Sequence, residues 1–283
     1  MNREQRTVFL TGCSSGIGYC TAHGLRQRGY RVIASARQAA DVERLRTEGL
    51  ECLQLDLDSS ESIHQAVEEL SAMTGKRLFG LFNNAGFGQP GAVEDLRRDV
   101  LRSQFETNVF GTMELTNALL PWMRAAGEGR IIQNSSVLGF VSLAYRGAYN
   151  ASKYALEGLY DTLRLELVDT NIHAILIEPG PVLSQFRANA MVAFQRNIDI
   201  DTSVHREKYL ATQKRLTQTG KAVAFTLGPE AVLAKVVKAL ESPRPRPRYY
   251  VTLPTYLFAG LKRILSQRML DRVLSGVSRG EQK

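Results

Sequence analysis

Six short apolar runs, near residues 7–11, 31–36, 51–56, 78–83, 130–135 and 173–178, alternate with longer segments whose apolar residues recur every three or four positions. Runs of the first kind suit strands buried on both faces, and the longer ones suit helices that cover them. Helices are expected at about 17–28, 60–73, 100–124 and 149–168. Parallel strands need a crossover of helix length, so this rhythm builds βαβ units and a parallel sheet. A chain of 283 residues that is 44% hydrophobic buries one large core, and the expectation is a single doubly wound α/β domain over residues 1–283.

The rhythm breaks after Pro179-Gly180-Pro181. A polar, irregular stretch then runs to about Gly228, too long for a routine connection, and is expected to form a substrate lid over about 183–228. A helix at about 230–241, the punctuation Arg244-Pro-Arg-Pro-Arg248, a strand at 249–252 and an amphipathic extension over about 254–275 complete the chain.

The net charge of +8 is concentrated in the tail, where nine Lys and Arg between Arg244 and Lys283 meet only Asp271 and Glu281. Aromatic-interleaved basic repeats and nucleic-acid motifs are missing, so no nucleic-acid partner is expected. In the extension Tyr256, Leu257, Phe258, Leu261, Ile264 and Leu265 are interleaved with Lys262 and Arg263 at helical spacing. Two uses fit: closing a pocket, or weak peripheral contact with an anionic membrane. No apolar run reaches the roughly eighteen residues of a bilayer span, and the N-terminus passes straight into a strand. A cytoplasmic protein that transiently visits the inner membrane surface is expected. Cys13, Cys20 and Cys52 are odd in number and lack a CxxC pair, and His23, His64, His173 and His205 lack ligand spacing, so neither disulfide nor metal is expected.

Thr11-Gly12-Cys13-Ser14-Ser15-Gly16-Ile17-Gly18 lies between the first strand and the first helix. There, glycines allow a tight turn, close approach of a pyrophosphate and helix–strand packing, while the helix N-terminus offers free N–H groups. Gly12, Ser14, Ser15, Gly16, Ile17 and Gly18 are therefore candidate dinucleotide-binding residues of a Rossmann-type fold.

With this loop go Asn83-Asn84-Ala85-Gly86, Tyr149-Asn-Ala-Ser-Lys153 and Pro179-Gly180-Pro181-Val182, each after a strand or at a helix start. In these motifs the chain resembles the classical short-chain dehydrogenase/reductase family along nearly its whole length. Thr11 to Gly18, Ala34 to Arg37 and the long extension look most like the branch of 17β-hydroxysteroid and retinol dehydrogenases and bacterial aldehyde reductases. The resemblance implies a nicotinamide cofactor, with Ser14 assisting, Asp56 and the Leu57 backbone at the adenine, and Asn83, Ala85 and Gly86 under the adenosine. It assigns Pro179, Gly180, Val182 and Ser184 to the nicotinamide side, Ser184 standing where the family commonly has Thr. It also implies a homodimer through the helices near 100–124 and 149–168.

An NAD-binding chain usually carries Asp or Glu about twenty residues past the loop. Here Ala36 stands instead, followed by Arg37, which can pair with a 2′-phosphate, so NADP(H) is the expected cofactor.

Hydride transfer to a carbonyl leaves an alkoxide, which needs a proton donor. Tyr149 and Lys153 share a helix face, and the ammonium is expected to lower the phenol from its usual value of about 10. The resemblance makes Ser136 the substrate-orienting serine and Asn108 a holder of a water that links Lys153 to solvent. Ser135 is the neighbouring candidate, but alternation along a strand lets only one of the two face the site. Phe140, Val141, Leu143, Tyr145, Phe186, Met191, Phe194 and Phe225 suggest an apolar pocket. The expected activity is NADP(H)-dependent interconversion of a small or lipophilic aldehyde or ketone and its alcohol, run as a reductase. The alternatives are a 3-oxoacyl-carrier-protein reductase and, from another class, a non-catalytic NADP(H)-sensing regulatory module.

Overall fold

The computed structural model describes residues 6–218, 220 and 224–281. Of the stretch expected as a lid, Thr219 and residues 221–223 lie outside the described residues, as do Met1 to Gln5 and the tail's last two residues, Gln282 and Lys283.

Seven strands, β1 (Thr7–Leu10), β2 (Arg31–Ala36), β3 (Glu51–Gln54), β4 (Gly80–Asn83), β5 (Gly129–Asn134), β6 (Ile172–Glu178) and β7 (Arg248–Tyr250), form one sheet in the order β3-β2-β1-β4-β5-β6-β7. Every pairing is parallel. Winding reverses between β1 and β4, and the crevice at the carboxyl ends of those strands is where open sheets of this kind bind ligands.

Alternation along β1 divides the core. Val8 and Leu10 bury on one face with Leu25 of α1 (Gly16–Arg26), Val42 and Leu45 of α2 (Ala39–Thr47), and Val232 and Val236 of α9 (Glu230–Glu241). Phe9 buries on the other with Ile63 and Leu70 of α3 (Ser60–Thr74), Leu115 and Leu119 of α5 (Thr112–Ala126), and Leu156 and Tyr160 of α6 (Gly147–Glu166).

Three elements differ from expectation. Helix α2 was not foreseen, because only Val42 and Leu45 of it are buried and the rest is small, charged or polar. The helix expected at 100–124 is instead α4 (Arg98–Phe105), a π-helical turn (Glu106–Gly111) and α5. The stretch expected to be irregular contains α7 (Phe186–Asn197) and α8 (Arg206–Thr217). Each buries few residues, so the apolar stripe is faint. Ala190, Phe194, Tyr209 and Leu216 close a separate small core with Ala92, Leu96 and Val100.

The chain ends in α10 (Leu253–Ile264) and α11 (Gln267–Gly280). Phe258, Leu261 and Leu265 turn inward with Leu270 and Leu274 onto Leu138, Val141 and Leu143. Among the described residues no helix is long and apolar enough to cross a membrane.

Candidate active site

The glycine-rich loop is held by contacts that exclude side chains. Gly12 has φ +69°, and a Cβ there would lie 2.8 Å from Ala85 Cα; one on Gly18 would lie 2.2 Å from the Gly12 carbonyl oxygen. Thr11 Oγ1 accepts from the Asn84 and Ala85 N–H groups at 3.0 Å each, and Asn84 Nδ2 returns bonds to the Thr11 and Gly12 carbonyls at 3.0 and 3.1 Å. Asn134 Nδ2 donates in turn to Asn84 Oδ1 at 3.0 Å. Asn84, which is not among the expected cofactor residues, therefore ties the loop to the crevice.

Asn83, expected under the adenosine, turns its side chain the other way. Its Nδ2 donates to Thr116 Oγ1 and to the Tyr160 hydroxyl, each at 2.8 Å. Neighbours at a strand end point to opposite faces, so Asn83 anchors α5 and α6 while Asn84 serves the loop. Gly86 abuts the Asn108 carboxamide.

Ser15 caps α1 in extended geometry without spending its hydroxyl on the cap. Arg44 Nη2 donates to the Ser14 carbonyl at 2.7 Å and shapes the loop from outside. Arg37 is exposed directly after β2, and Ala36 leaves that strand end without a carboxylate. Asp56 Oδ1 accepts from the Asp58 N–H at 3.1 Å, an Asx turn that occupies one of its oxygens. The Leu57 side chain is buried, and its carbonyl packs so tightly on Gly111 that a Cβ there would lie 1.8 Å away.

Across the crevice, α6 sets Tyr149 and Lys153 one turn apart. Lys153 is buried, donates to the Asn134 carbonyl at 2.7 Å, and holds its Nζ 5.7 Å from the Tyr149 ring centroid. Ser136 lies just past β5, where its Oγ accepts from the Leu138 N–H at 3.1 Å and stands near enough to Tyr149 to favour ionisation of the phenol. Ser135 points away and donates to Glu157. Of the two serines, Ser136 alone meets the tyrosine.

The acid–base balance corrects the expectation of a lowered phenol. Burial pushes Tyr149 up to about 12, opposed by the Ser136 hydrogen bond and by the charge of Arg146. Burial pulls Lys153 down to about 8, opposed by Glu157. At both groups desolvation outweighs the neighbours that oppose it. The site thus holds a neutral phenol, ready to donate, beside an ammonium that persists below about pH 8.

Asn108 sits on the π-helical turn, and its amide is committed. Nδ2 donates to the Phe87 carbonyl at 2.9 Å and to Ser152 Oγ at 3.2 Å, while Oδ1 accepts from the Phe87 N–H at 3.1 Å. Gln104, one turn earlier, donates to the same carbonyl at 2.8 Å and accepts from the Gln89 N–H at 2.7 Å. Together they fasten the irregular segment after Gly86.

After β6, the Pro179 carbonyl accepts from the Val137 N–H at 2.8 Å and so braces the Ser136 turn. Gly180 fits against Thr252, whose Oγ1 would lie 2.1 Å from a Cβ. Val182 pairs with Leu227, and the bonds Leu183 N to Leu227 O at 2.9 Å and Leu227 N to Pro181 O at 3.2 Å bring the two ends of the 183–228 stretch together. A Cβ on Gly16 would meet Ser184 Cβ at 2.9 Å, so Ser184 faces the phosphate loop. Ile17, on the first turn of α1, packs partly buried against the core.

Phe186, the first residue of α7, sets its ring edge-on to Tyr149 at 5.1 Å. Other expected pocket residues are used elsewhere. Val141 and Leu143 lie under α11, and Phe194 and Tyr145 belong to the small α7–α8 core. Phe225 is 61% exposed.

The crevice fits a dinucleotide. It offers a helix N-terminus with an uncommitted Ser15 hydroxyl, glycines too crowded to carry side chains, and an exposed cation past β2. A phosphate-binding loop facing a tyrosine–lysine pair across the switch point of a doubly wound sheet defines a nicotinamide-dependent oxidoreductase.

Residues 6–193 match the short chain dehydrogenase family. An uncharacterized oxidoreductase, YbbO, of Escherichia coli K12 is 43% identical over 272 residues, covering 96% of this chain and 95% of its own. Human retinol dehydrogenase 8 is 35% identical over 87% of this chain and 81% of its own. The NADPH-dependent 3-dehydrocapnine reductase of Ornithobacterium rhinotracheale is 31% identical over 95% of each. The chain belongs to the short-chain dehydrogenase/reductase family.

Proposed function

We propose that the protein is an NADP(H)-dependent reductase of lipophilic aldehydes or ketones, with Tyr149 as its proton donor. The observation that carries this reading is Tyr149 on one helix face with the buried Lys153, whose Nζ lies 5.7 Å from the ring centroid, beside Ser136 just past β5. The reduced nicotinamide supplies the hydride when bound. Ser136 orients the carbonyl oxygen, Tyr149 delivers its proton there as charge develops, and Lys153 stabilises the phenolate left behind. Asn108 keeps the Phe87 segment in place beside them.

In this reading Gly12, Ser14, Ser15, Gly16, Ile17 and Gly18 receive the pyrophosphate and Arg37 the 2′-phosphate. Asp56, Leu57, Ala85 and Gly86 receive the adenosine, and Lys153, Pro179, Gly180, Val182 and Ser184 the nicotinamide ribose and carboxamide. The exposed Arg37, the missing carboxylate at Ala36 and a relative named as NADPH-dependent support NADP(H). Phe186 over Tyr149, the apolar contacts of Phe140, and a relative named for retinol support a lipophilic substrate. NADPH consumption over a panel of aldehydes, ketosteroids and acyl thioesters tests it. Preference for the thioesters favours the carrier-protein alternative, and NADPH binding without turnover favours the sensing module.

The protein forms a homodimer through the α4–α5 and α6 faces, a reading supported by Phe110, Leu159 and Leu165, which are exposed there. Light scattering at twice 31.5 kDa is the expected result. Its free cysteines suit a reducing cytoplasm. Helix α10 serves both uses of the tail. Its inner face roofs Leu138 and Val141, while Leu253, Tyr256, Leu257 and Ile264 stay at least half exposed on the outer one. Beside that outer face, a cavity of about 980 Å³ shares Tyr256 and Arg263 with it and adds Lys235, Lys238, Arg244 and Arg246. An apolar stripe rimmed by cations complements an anionic membrane surface, from which a lipophilic substrate enters.

A further inference from the structure

Behind the Ser136 turn lies a buried ionic cluster that the reaction as described does not use. Arg248, the first residue of β7, donates from Nη1 to Glu157 Oε2 at 2.9 Å and to Glu178 Oε1 at 3.3 Å, and from Nη2 to Asp161 Oδ2 at 2.6 Å. Glu157 and Asp161 belong to α6, and Glu178 ends β6. Three carboxylates therefore converge on one guanidinium; Asp161 is partly exposed and shares its charge with Arg164 at 3.1 Å, so the uncompensated negative charge falls on the buried pair Glu157 and Glu178.

Protonation removes that excess at Glu178. Its Oε2 is buried with no hydrogen-bond partner among the described residues, and the residue is 1% exposed. Adding a proton turns Glu178 into a donor towards the adjacent Glu157. Burial first, and then the Glu157 charge, push Glu178 up to about 9. Burial raises Glu157 as well, but Ser135 donates to it and Arg248 pairs with it, so of the two Glu178 takes the proton first.

Glu157 reaches the catalytic centre by two routes. It stands one helical turn after Lys153 and is the charge that opposes desolvation of that ammonium. It also receives the Ser135 hydroxyl, whose N–H is tied to the Ile177 carbonyl at 2.7 Å, immediately before Ser136. Gly139 leaves no slack, since a Cβ there would lie 2.8 Å from Ser135 Oγ and 2.9 Å from Glu157 Cγ.

We propose that Glu157, backed by a protonated Glu178 and by Arg248, is a positioning residue of the reduction that keeps Lys153 charged and aims Ser136. The assignment rests on the oxidoreductase reading of Tyr149 and Lys153. The charged and titratable groups facing Glu157 are Lys153 and Asp161 on α6, Glu178 on β6, and Arg248 and Tyr250 on β7.

The test is the alkaline limb of the kcat/KM profile, with melting temperature as a control on folding. Glu157→Gln removes the carboxylate, and the limb is expected to move to lower pH by about one unit, the scale of a nearby opposite charge. Glu157→Asp keeps the charge and restores part of that displacement, and it serves where the amide variant does not fold. In Glu178→Gln the limb stays at the wild-type pH, because the amide supplies the donor that the protonated acid supplies. An ¹³C NMR titration of the Lys153 ε-carbon reads the same displacement without turnover. A chain that reduces no carbonyl thus fails the functional reading separately. An unmoved limb and lysine titration in Glu157→Gln, or an equal displacement in Glu178→Gln, overturns the proposal.

Discussion

The Lys153 ammonium is fastened to the carbonyl oxygen of Asn134 at 2.7 Å, the last residue of β5, rather than to the phenol beside it. One of its three donors is spent on the sheet, which fixes the side chain where two more can face the crevice. The same strand end carries Ser136, and Asn134 Nδ2 holds Asn84 under the phosphate loop. Cofactor loop, lysine and serine thus share a single anchor.

Tyr149→Phe removes the transferable proton and leaves the loop untouched. Turnover is expected to fall roughly 100- to 10,000-fold, the usual contribution of a general acid. NADPH affinity, measured by fluorescence titration, is expected to stay within about twofold. Retention of most activity removes Tyr149 from the reaction.

The pH profile of reduction follows from the two shifts. With Tyr149 held at about 12, the phenol stays protonated through neutral and mildly alkaline pH and adds no limb there. Lys153, lowered to about 8, is charged below that value and loses its proton above it. The kcat/KM for reduction, which reports the free enzyme, is therefore expected to be level near neutrality and to fall as pH rises through about 8. A level profile to pH 10 contradicts this.

Arg37 is exposed, so Arg37→Ala perturbs little besides ligand contacts. A charge-assisted hydrogen bond is worth about 1.5–3 kcal/mol, which corresponds to a rise of roughly 10- to 100-fold in the KM for NADPH. The KM for NADH is expected to stay constant, and steady-state kinetics with both cofactors decides the point.

Gly18→Ala asks for a methyl 2.2 Å from the Gly12 carbonyl and 2.6 Å from Asn84 Nδ2. Neither neighbour can yield without breaking the turn. A stability loss of about 1–3 kcal/mol by denaturant melt, with weakened NADPH binding, is the expected outcome.

On the outer face of α10, Leu257→Asp with Ile264→Asp is expected to abolish co-sedimentation with vesicles of phosphatidylcholine and phosphatidylglycerol. Arg244→Ala with Arg246→Ala weakens it by about fivefold for each cation, at about 1 kcal/mol apiece. Activity on a water-soluble aldehyde stays constant, because those side chains point away from the roof. Equal sedimentation of wild type and variants eliminates the membrane contact.

Periodicity along short segments is a local property, and the sequence alone determined what depends on it: the seven strands and the helices with a strong apolar stripe, the parallel sheet, the position of the glycine-rich loop, and one helix face for Tyr149 and Lys153. Residue chemistry at those places was equally legible, down to the missing carboxylate at Ala36. The tertiary structure decided what depends on neighbours distant in the chain. It divided Asn83 from Asn84 and Ser135 from Ser136 by the faces they meet. It turned Phe194 into core and Phe186 towards the tyrosine, and it split α10 into a roof and an exposed stripe. It also reversed the expected direction at Tyr149, because desolvation is a sum over everything packed around a group. Glu157, Glu178 and Arg248 come from α6, β6 and β7. The helix itself sets Glu157 one turn from Lys153, but no spacing links it to the other two, and only the packing of α6 on the sheet brings Glu178 and Arg248 to it.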